Sequence, residues 1–149
     1  MMLRWLFAAL HLLALGIGFG AIVARASALR GTLDGAGIRR VLYADTAWGI
    51  AALLWIATGL LRAFAGFEKG TAYYVANNMF WIKMGLLVAI IVMEIPAAAT
   101  FARWRVALRR KQPVDTGSAQ RFARVSTLQI VLVVLMVFAA TAMARGFLS

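Results

Sequence analysis

Four long apolar runs fill most of a 149-residue chain, and they carry almost no charge. A helix needs about 20 apolar residues to cross the hydrocarbon layer of a bilayer. Within lipid, only a helix or a closed barrel satisfies its own backbone polar groups, and these runs do not alternate as barrel strands do. The expectation is an all-α membrane protein: one domain over residues 1–149, a bundle of four transmembrane helices. The spans are expected at about 5–24, 46–65, 79–101 and 125–144. Hydrophobic residues make up 64% of the chain and charged residues 14%, against about half and a quarter in soluble domains. The first run, with Arg4 before it and Ala26-Ser27-Ala28 after it, resembles a signal peptide in outline. It is longer than a typical apolar core of such a peptide, so it reads as a retained helix.

Charge sets the expected orientation. The net charge is +11, but the basic residues sit at span ends and in short connections, where they fix topology and meet anionic lipid rather than nucleic acid. The first and third connections carry Arg25, Arg30, Arg39, Arg40, Arg103, Arg105, Arg109, Arg110, Lys111, Arg121 and Arg124, eleven in all. The opposite side has Arg4, Arg62, Lys69, Lys83 and Arg145, five in all. The positive-inside rule then places those two connections, with anionic lipid beside them, at the cytoplasmic face and both termini in the periplasm of a bacterial inner membrane. Trp5, Trp48, Trp81, Trp104, Tyr43, Tyr73 and Tyr74 lie near span ends, as interfacial anchors do. Asp34 is placed to cap a short helix leading into the second span, and Thr71 one leading into the third.

Ionisable groups inside a span are costly, and each is a functional candidate. His11, Lys83 and Glu94 are the clear cases, with Asp45 and Arg62 at span edges and Gln129 in the fourth span. Helical geometry puts Lys83, Leu87, Ile90 and Glu94 on one stripe, and His11, Gly18 and Arg25 on one face of the first helix. Two polar clusters follow: His11, Arg62 and Lys83 near one leaflet, and Arg25, Asp45 and Glu94 near the other. Each member has a plainer reading. Lys83 can snorkel to the headgroups, Arg62 can anchor a helix end, and His11 can serve as an interhelical hydrogen-bonding residue. Glu94 can form an internal salt bridge with Arg25 or a neighbouring Arg. Asp45 can do no more than neutralise Arg25, Arg39 or Arg40.

Pro96 removes one backbone bond, to the carbonyl of Val92, and is expected to bend the third span beside Glu94. Gly16 and Gly20 form a small-xxx-small pair that permits close backbone approach. They suit packing inside the bundle, a homodimer or membrane-complex seam, or space for a flat ring beside His11. Met136 and Met143 share a face with Gln129 and Val133; Met at that spacing is commonly filler. Cys is absent and His11 is the single His, which excludes a His-rich metal site within one chain; Met143 is a candidate second axial ligand to a haem held by His11.

Several segments together carry a resemblance. They are Ala9-Leu10-His11-Leu12-Leu13, Arg39-Arg40, Ala44-Asp45-Thr46-Ala47-Trp48-Gly49, Glu68-Lys69-Gly70-Thr71-Ala72-Tyr73-Tyr74, Phe80-Trp81-Ile82-Lys83-Met84-Gly85-Leu86, Glu94-Ile95-Pro96 and Ala139-Ala140-Thr141-Ala142-Met143-Ala144-Arg145-Gly146. Over nearly the whole chain this resembles an uncharacterised bacterial family of small four-helix inner-membrane proteins, which implies the architecture and brings no activity. A more distant similarity is to HemJ-type protoporphyrinogen oxidases, four-helix membrane proteins that bind haem b. It rests on His11 after Ala9-Leu10 and on Lys83 after an aromatic residue at the start of the third span. It implies His11 as haem ligand and Lys83 as partner of a porphyrin carboxylate or active-site group. That family has further His residues at the end of the third helix and an Asn-Glu-x-Pro-like element in the fourth, and this chain has neither.

Three functions from different classes remain open at this stage. The first is a haem b or porphyrin-binding redox protein, with His11 on iron, Lys83 and Arg62 on propionates, and the sixth position taken by Met143, taken by a second chain, or open. The second is a non-enzymatic structural or accessory subunit of a membrane complex, docked through Gly16 and Gly20. The third is a small transporter with Glu94 and His11 as relay sites, although no inverted repeat is visible.

Overall fold

The computed structural model describes residues 2–65 and 71–146. It contains helices α1 (Met2–Arg30), α2 (Gly35–Phe64), α3 (Thr71–Ala76), α4 (Asn78–Arg109) and α5 (Ala119–Ala144), and no strand among the described residues. Four of them, α1, α2, α4 and α5, are long and apolar enough to cross a membrane. The protein is an all-helical four-span bundle.

α1, α4 and α5 cover residues 5–24, 79–101 and 125–144, α2 covers 46–64, and all four continue at the end that bears the α1–α2 and α4–α5 connections. That end is called here the basic end, and the opposite one the terminal end. The continuation has local causes. Asp34 caps α2 directly, its side chain accepting from the Gly37 amide at 2.7 Å, so no separate short helix precedes the second span. At the terminal end the reverse holds. Asn77 accepts from the Met79 amide at 2.9 Å and starts α4 afresh, which leaves Thr71–Ala76 as a one-and-a-half-turn helix rather than a lead-in to the third span. α4 runs unbroken through Pro96.

Around the bundle the order is α2, α1, α5, α4: α1 packs along both α2 and α5, and α4 packs along α5. α2 and α4 touch little and would leave a seam. The core forms three layers. Leu29, Val41, Phe101, Trp104 and Phe122 fill the basic end. Ala14, Ile22, Trp48, Trp55, Ile90, Val133 and Met136 fill the middle. Ala63, Tyr74 and Phe80 close the terminal end. Large apolar residues such as Leu53, Phe138, Ile95 and Leu12 lie exposed on the outer faces, the arrangement required when the surroundings are hydrocarbon rather than water.

Three expectations change with the packing. Arg25 is fully buried inside α1, so it is not a topology-setting loop charge, and ten basic residues face the basic end instead of eleven. Trp48, Trp104 and Tyr74 are buried, while Trp5, Trp81 and Tyr43 are more than half exposed; the first three pack the interior, and the anchor role falls to the others. Gly16 and Gly20 have nothing within 4 Å of a built Cβ, whereas Gly18 meets the Ala51 side chain at 3.3 Å. The close helix approach inside the bundle therefore uses Gly18, and Gly16 and Gly20 face outward.

Candidate functional site

The α2–α4 seam is closed at the basic end by side chains. Arg25 is the centre of that closure, and all five of its N–H donors have acceptors. Its Nη1 donates to Asp45 Oδ1 at 2.8 Å and Glu94 Oε1 at 2.6 Å. Its Nη2 donates to Glu94 Oε2 at 2.9 Å and Gln129 Oε1 at 2.8 Å, and its Nε to Ser126 Oγ at 3.1 Å. The paired bonds to Glu94 make a bidentate fork, and the guanidinium also lies 5.5 Å from the centroid of the Phe101 ring.

The carboxylates are equally occupied. Glu94 Oε2 also accepts from Gln129 Nε2 at 2.8 Å and from Trp48 Nε1 at 3.2 Å. Asp45 Oδ2 accepts from Arg105 Nη2 at 2.8 Å. Two arginines and two carboxylates balance in charge, and all four long helices contribute. Glu94 thus accepts four hydrogen bonds, the full capacity of a carboxylate. The backbone carbonyl drawn into this network is that of Ile90, bonded by Gln129 Nε2 at 3.3 Å, rather than that of Val92, which Pro96 releases. Chemically this cluster is a lock: every N–H of Arg25 is used, and both carboxylates are held by guanidinium groups.

At the terminal end the seam opens instead. A cavity of about 360 Å³ lies between α2 and α4, backed by α1 and α5 and covered by α3. Its volume falls in the range of small-molecule sites, roughly 300–1,000 Å³. His11, Arg62, Lys83 and Met143 all line it, so four residues from four helices that the sequence singled out face one space. Leu87, on the Lys83–Glu94 stripe, lines it too, and so does Met136. The stripe therefore serves both regions, with Lys83 in the cavity and Glu94 in the lock. Among the described residues no group of three or more His, Cys, Asp or Glu gathers as a metal site.

His11 is held firmly. Its Nδ1 lies 2.9 Å from Thr58 Oγ1. The Thr58 hydroxyl is 2.7 Å from the Leu54 carbonyl and 3.1 Å from that of Trp55. A hydroxyl has one proton, and it goes to a carbonyl because a carbonyl can only accept. With the hydroxyl proton on a carbonyl, Thr58 Oγ1 accepts from His11 Nδ1–H, and in that tautomer Nε2 carries the lone pair. The ring is further confined by Gly59, whose built Cβ would stand 3.1 Å from His11 Cε1, and by the Trp55 ring, 5.8 Å away between centroids.

The sequence reading did not single out Thr58, Gly59, Trp55, Trp48, Ser126 or Arg105 as members of these regions. A sign was present for some of them. Asp45, Trp48, Trp55, Thr58 and Arg62 recur at helical spacings of three, seven and four along α2, and Ser126 and Gln129 are three apart on α5. Spacing places them on the inner faces; it does not say which polar atoms they meet.

Neither the curated proteins nor the solved structures contain a match to the chain. A family model does match it, over residues 3–147. Apart from Met2, the helices that shape both regions lie within that match, and the chain belongs to the family described as "Predicted membrane protein (DUF2214)".

Proposed function

We propose that this membrane protein binds a planar, amphiphilic, anionic redox cofactor of the haem b class in the terminal-end cavity. One observation carries the reading: His11, with its Nδ1 committed to Thr58, lines the same cavity as Arg62, Lys83 and Met143. The residues fit the group. Fixing Nδ1–H on Thr58 sets the tautomer in which Nε2 can ligate a metal and orients the ring, as partners of metal-bound His do. Arg62 and Lys83 would provide the cations that propionates require, and Met143, which lines the same cavity, would offer its thioether to the iron. Gly59 leaves room for the His11 ring. A bound haem iron supplies one-electron chemistry; the chain supplies the ligand, the orientation, the cations and a wall of apolar side chains.

The test is an absorption spectrum of detergent-purified protein from haem-replete cells, oxidised and dithionite-reduced. A Soret band with reduced α and β bands, lost in His11→Ala, is expected. A flat spectrum that persists after adding haem overturns the reading.

The same proposal orients the protein in a bacterial inner membrane, with the basic end at the cytoplasmic face and both termini in the periplasm. Arg39, Arg40, Arg103, Arg109 and Arg110 would then meet anionic lipid.

A second reading has its own support. The Arg25 lock is built for rigidity, and Gly16 and Gly20 face outward with open space around them. Both suit a structural or accessory subunit that docks a second copy or another membrane protein through that face. Cross-linking in native membranes tests it: Gly16→Leu and Gly20→Leu abolish any higher-mass species if that face is the seam.

A further inference from the structure

A groove of about 850 Å³ lies between α1 and α2 and shares no lining residue with the terminal-end cavity. Its cause is side-chain size. On α1 it follows Ile17, Gly20, Ala21, Ala24, Ala28 and Gly31, positions that fall on one stripe of the helix. Past Ile17 none of these has a side chain larger than a methyl group. α2 faces them with Ala44 and Ala47, which are also too short to fill the space. Gly20 has nothing within 4 Å of a built Cβ. In a membrane such a gap takes up hydrocarbon, because an unfilled wall forfeits its dispersion contacts.

The groove changes character toward the basic end, where Ser27, Thr32, Arg40 and Tyr43 line it. Arg40 and Tyr43 are exposed, and Arg40 makes no hydrogen bond or ion pair with another described residue. No carboxylate lines the groove. Asp34 stands beside it, accepting from the Gly37 amide, and Arg39 reaches back along α2 toward Gly35. Arg30 is turned away, bonded to Thr127 on α5. The start of α2 therefore has two guanidinium groups to one carboxylate, a surplus of positive charge at the mouth of an apolar groove.

We propose that one anionic phospholipid docks in this groove, with an acyl chain along the α1 stripe and its phosphate on Arg40. Length supports this occupant. Ile17 to Gly31 is fourteen residues, about 21 Å along α1, and half of a bilayer with its headgroups is about 20–22 Å. The groove is one leaflet long, polar at the headgroup end and apolar at the other. Charge favours a lipid over a second copy of the chain: a copy has a net charge of +11, and a two-fold contact on this face would bring up a second basic end. A phosphate meets a guanidinium as a forked pair. A basic surface attracts anionic lipid without fixing its place; the groove fixes one molecule. Neither His11 nor the terminal-end cavity takes part, so the Soret test and this one can fail independently.

The experiment is native mass spectrometry of the delipidated protein in detergent, offered equal amounts of phosphatidylglycerol and phosphatidylcholine. One retained phosphatidylglycerol per chain is expected, in preference to phosphatidylcholine. Arg40→Ala should weaken its retention about fivefold, the contribution of one cation at a lipid headgroup. Arg39→Ala, next in the chain but outside the groove lining, should change it much less. Ala24→Phe leaves the charge alone and fills the groove, so it should abolish retention. Both Ala24 and Arg40 are exposed, so the fold tolerates either change. In proteoliposomes, phosphatidylglycerol with a diazirine at the end of an acyl chain should cross-link to residues 17–24. Absence of a retained lipid, equal retention of the two lipids, indifference to Arg40→Ala or Ala24→Phe, equal losses in Arg39→Ala and Arg40→Ala, or cross-links scattered over all four long helices overturn the proposal. A lipid-free dimer that Ala24→Phe returns to monomer overturns it in favour of a second copy.

Discussion

Two tryptophans on one face of α2 separate the two halves of this bundle. Both sit in the middle layer, but Trp48 turns to the basic-end cluster, where its indole N–H reaches Glu94 and every donor of Arg25 is used. Trp55 borders the terminal-end cavity of about 360 Å³ between the same two helices, and its N–H meets no acceptor among the described residues. Both ends place ionisable residues inside a membrane-spanning bundle, and burial alone does not tell them apart. What differs is completeness. A polar cluster whose donors and acceptors all match is a fastener, and in hydrocarbon it holds helices in register. The terminal end instead sets a fixed imidazole and two cationic side chains on empty volume.

The comparison can be broken most forcefully at Arg25. Arg25→Leu strands Glu94 without a cation and is expected to cost about 3 kcal/mol or more, read as a large fall in the thermal midpoint in detergent. Replacing Arg25, Asp45, Glu94 and Gln129 together by Leu or Met should restore most of that loss, because an apolar core of similar volume carries no desolvation cost. If Arg25→Leu leaves the midpoint unchanged, the basic end is not a lock. Next in size is Gly18→Leu, which drives a side chain into Ala51 and Trp48 and should cost about 2 kcal/mol by overpacking, on the same assay. Thr58→Val removes the acceptor of His11 Nδ1 and is expected to cost about 1 kcal/mol. Its sharper readout is cofactor affinity, which should fall because the His11 ring loses its orientation; unchanged affinity would separate His11 from the site. The smallest effect is expected at Gly16→Leu and Gly20→Leu, within about 0.5 kcal/mol for the monomer, since nothing lies within 4 Å of either position.

Much of the basic-end cluster was legible in the residues. Glu94 is too deep and too short to reach water, so it had to meet a cation, and the face shared by His11, Gly18 and Arg25 brought one. The stripe from Lys83 to Glu94 followed from helical period alone. The errors cluster where a residue type has two uses in a membrane protein. Trp48, Trp104 and Tyr74 read as interfacial anchors by their distance from span ends, yet they pack inward because the helices run well past the hydrocarbon limits and those positions fall on inner faces. Arg25 read as a loop charge for the same reason. Gly16 and Gly20 form a pair as clear as any, but rotation of α1 by its contacts with α2 and α5 turns Gly18 inward and that pair out.

What the sequence determined by itself was the solvent and the helices. Lipid offers no partner for a backbone N–H, so long apolar runs must satisfy their hydrogen bonds locally, and locality is what a linear sequence encodes. Period then assigned faces. Only the tertiary structure decided which polar atoms meet: that Ser126 and Gln129 complete Arg25, that Thr58 meets His11 Nδ1, and that the Trp55 indole N–H finds no acceptor among the described residues. A hydrogen bond requires atoms about 3 Å apart at a favourable angle. Across four helices, that placement depends on the rotation and depth of each one, which are set by the packing of all the others.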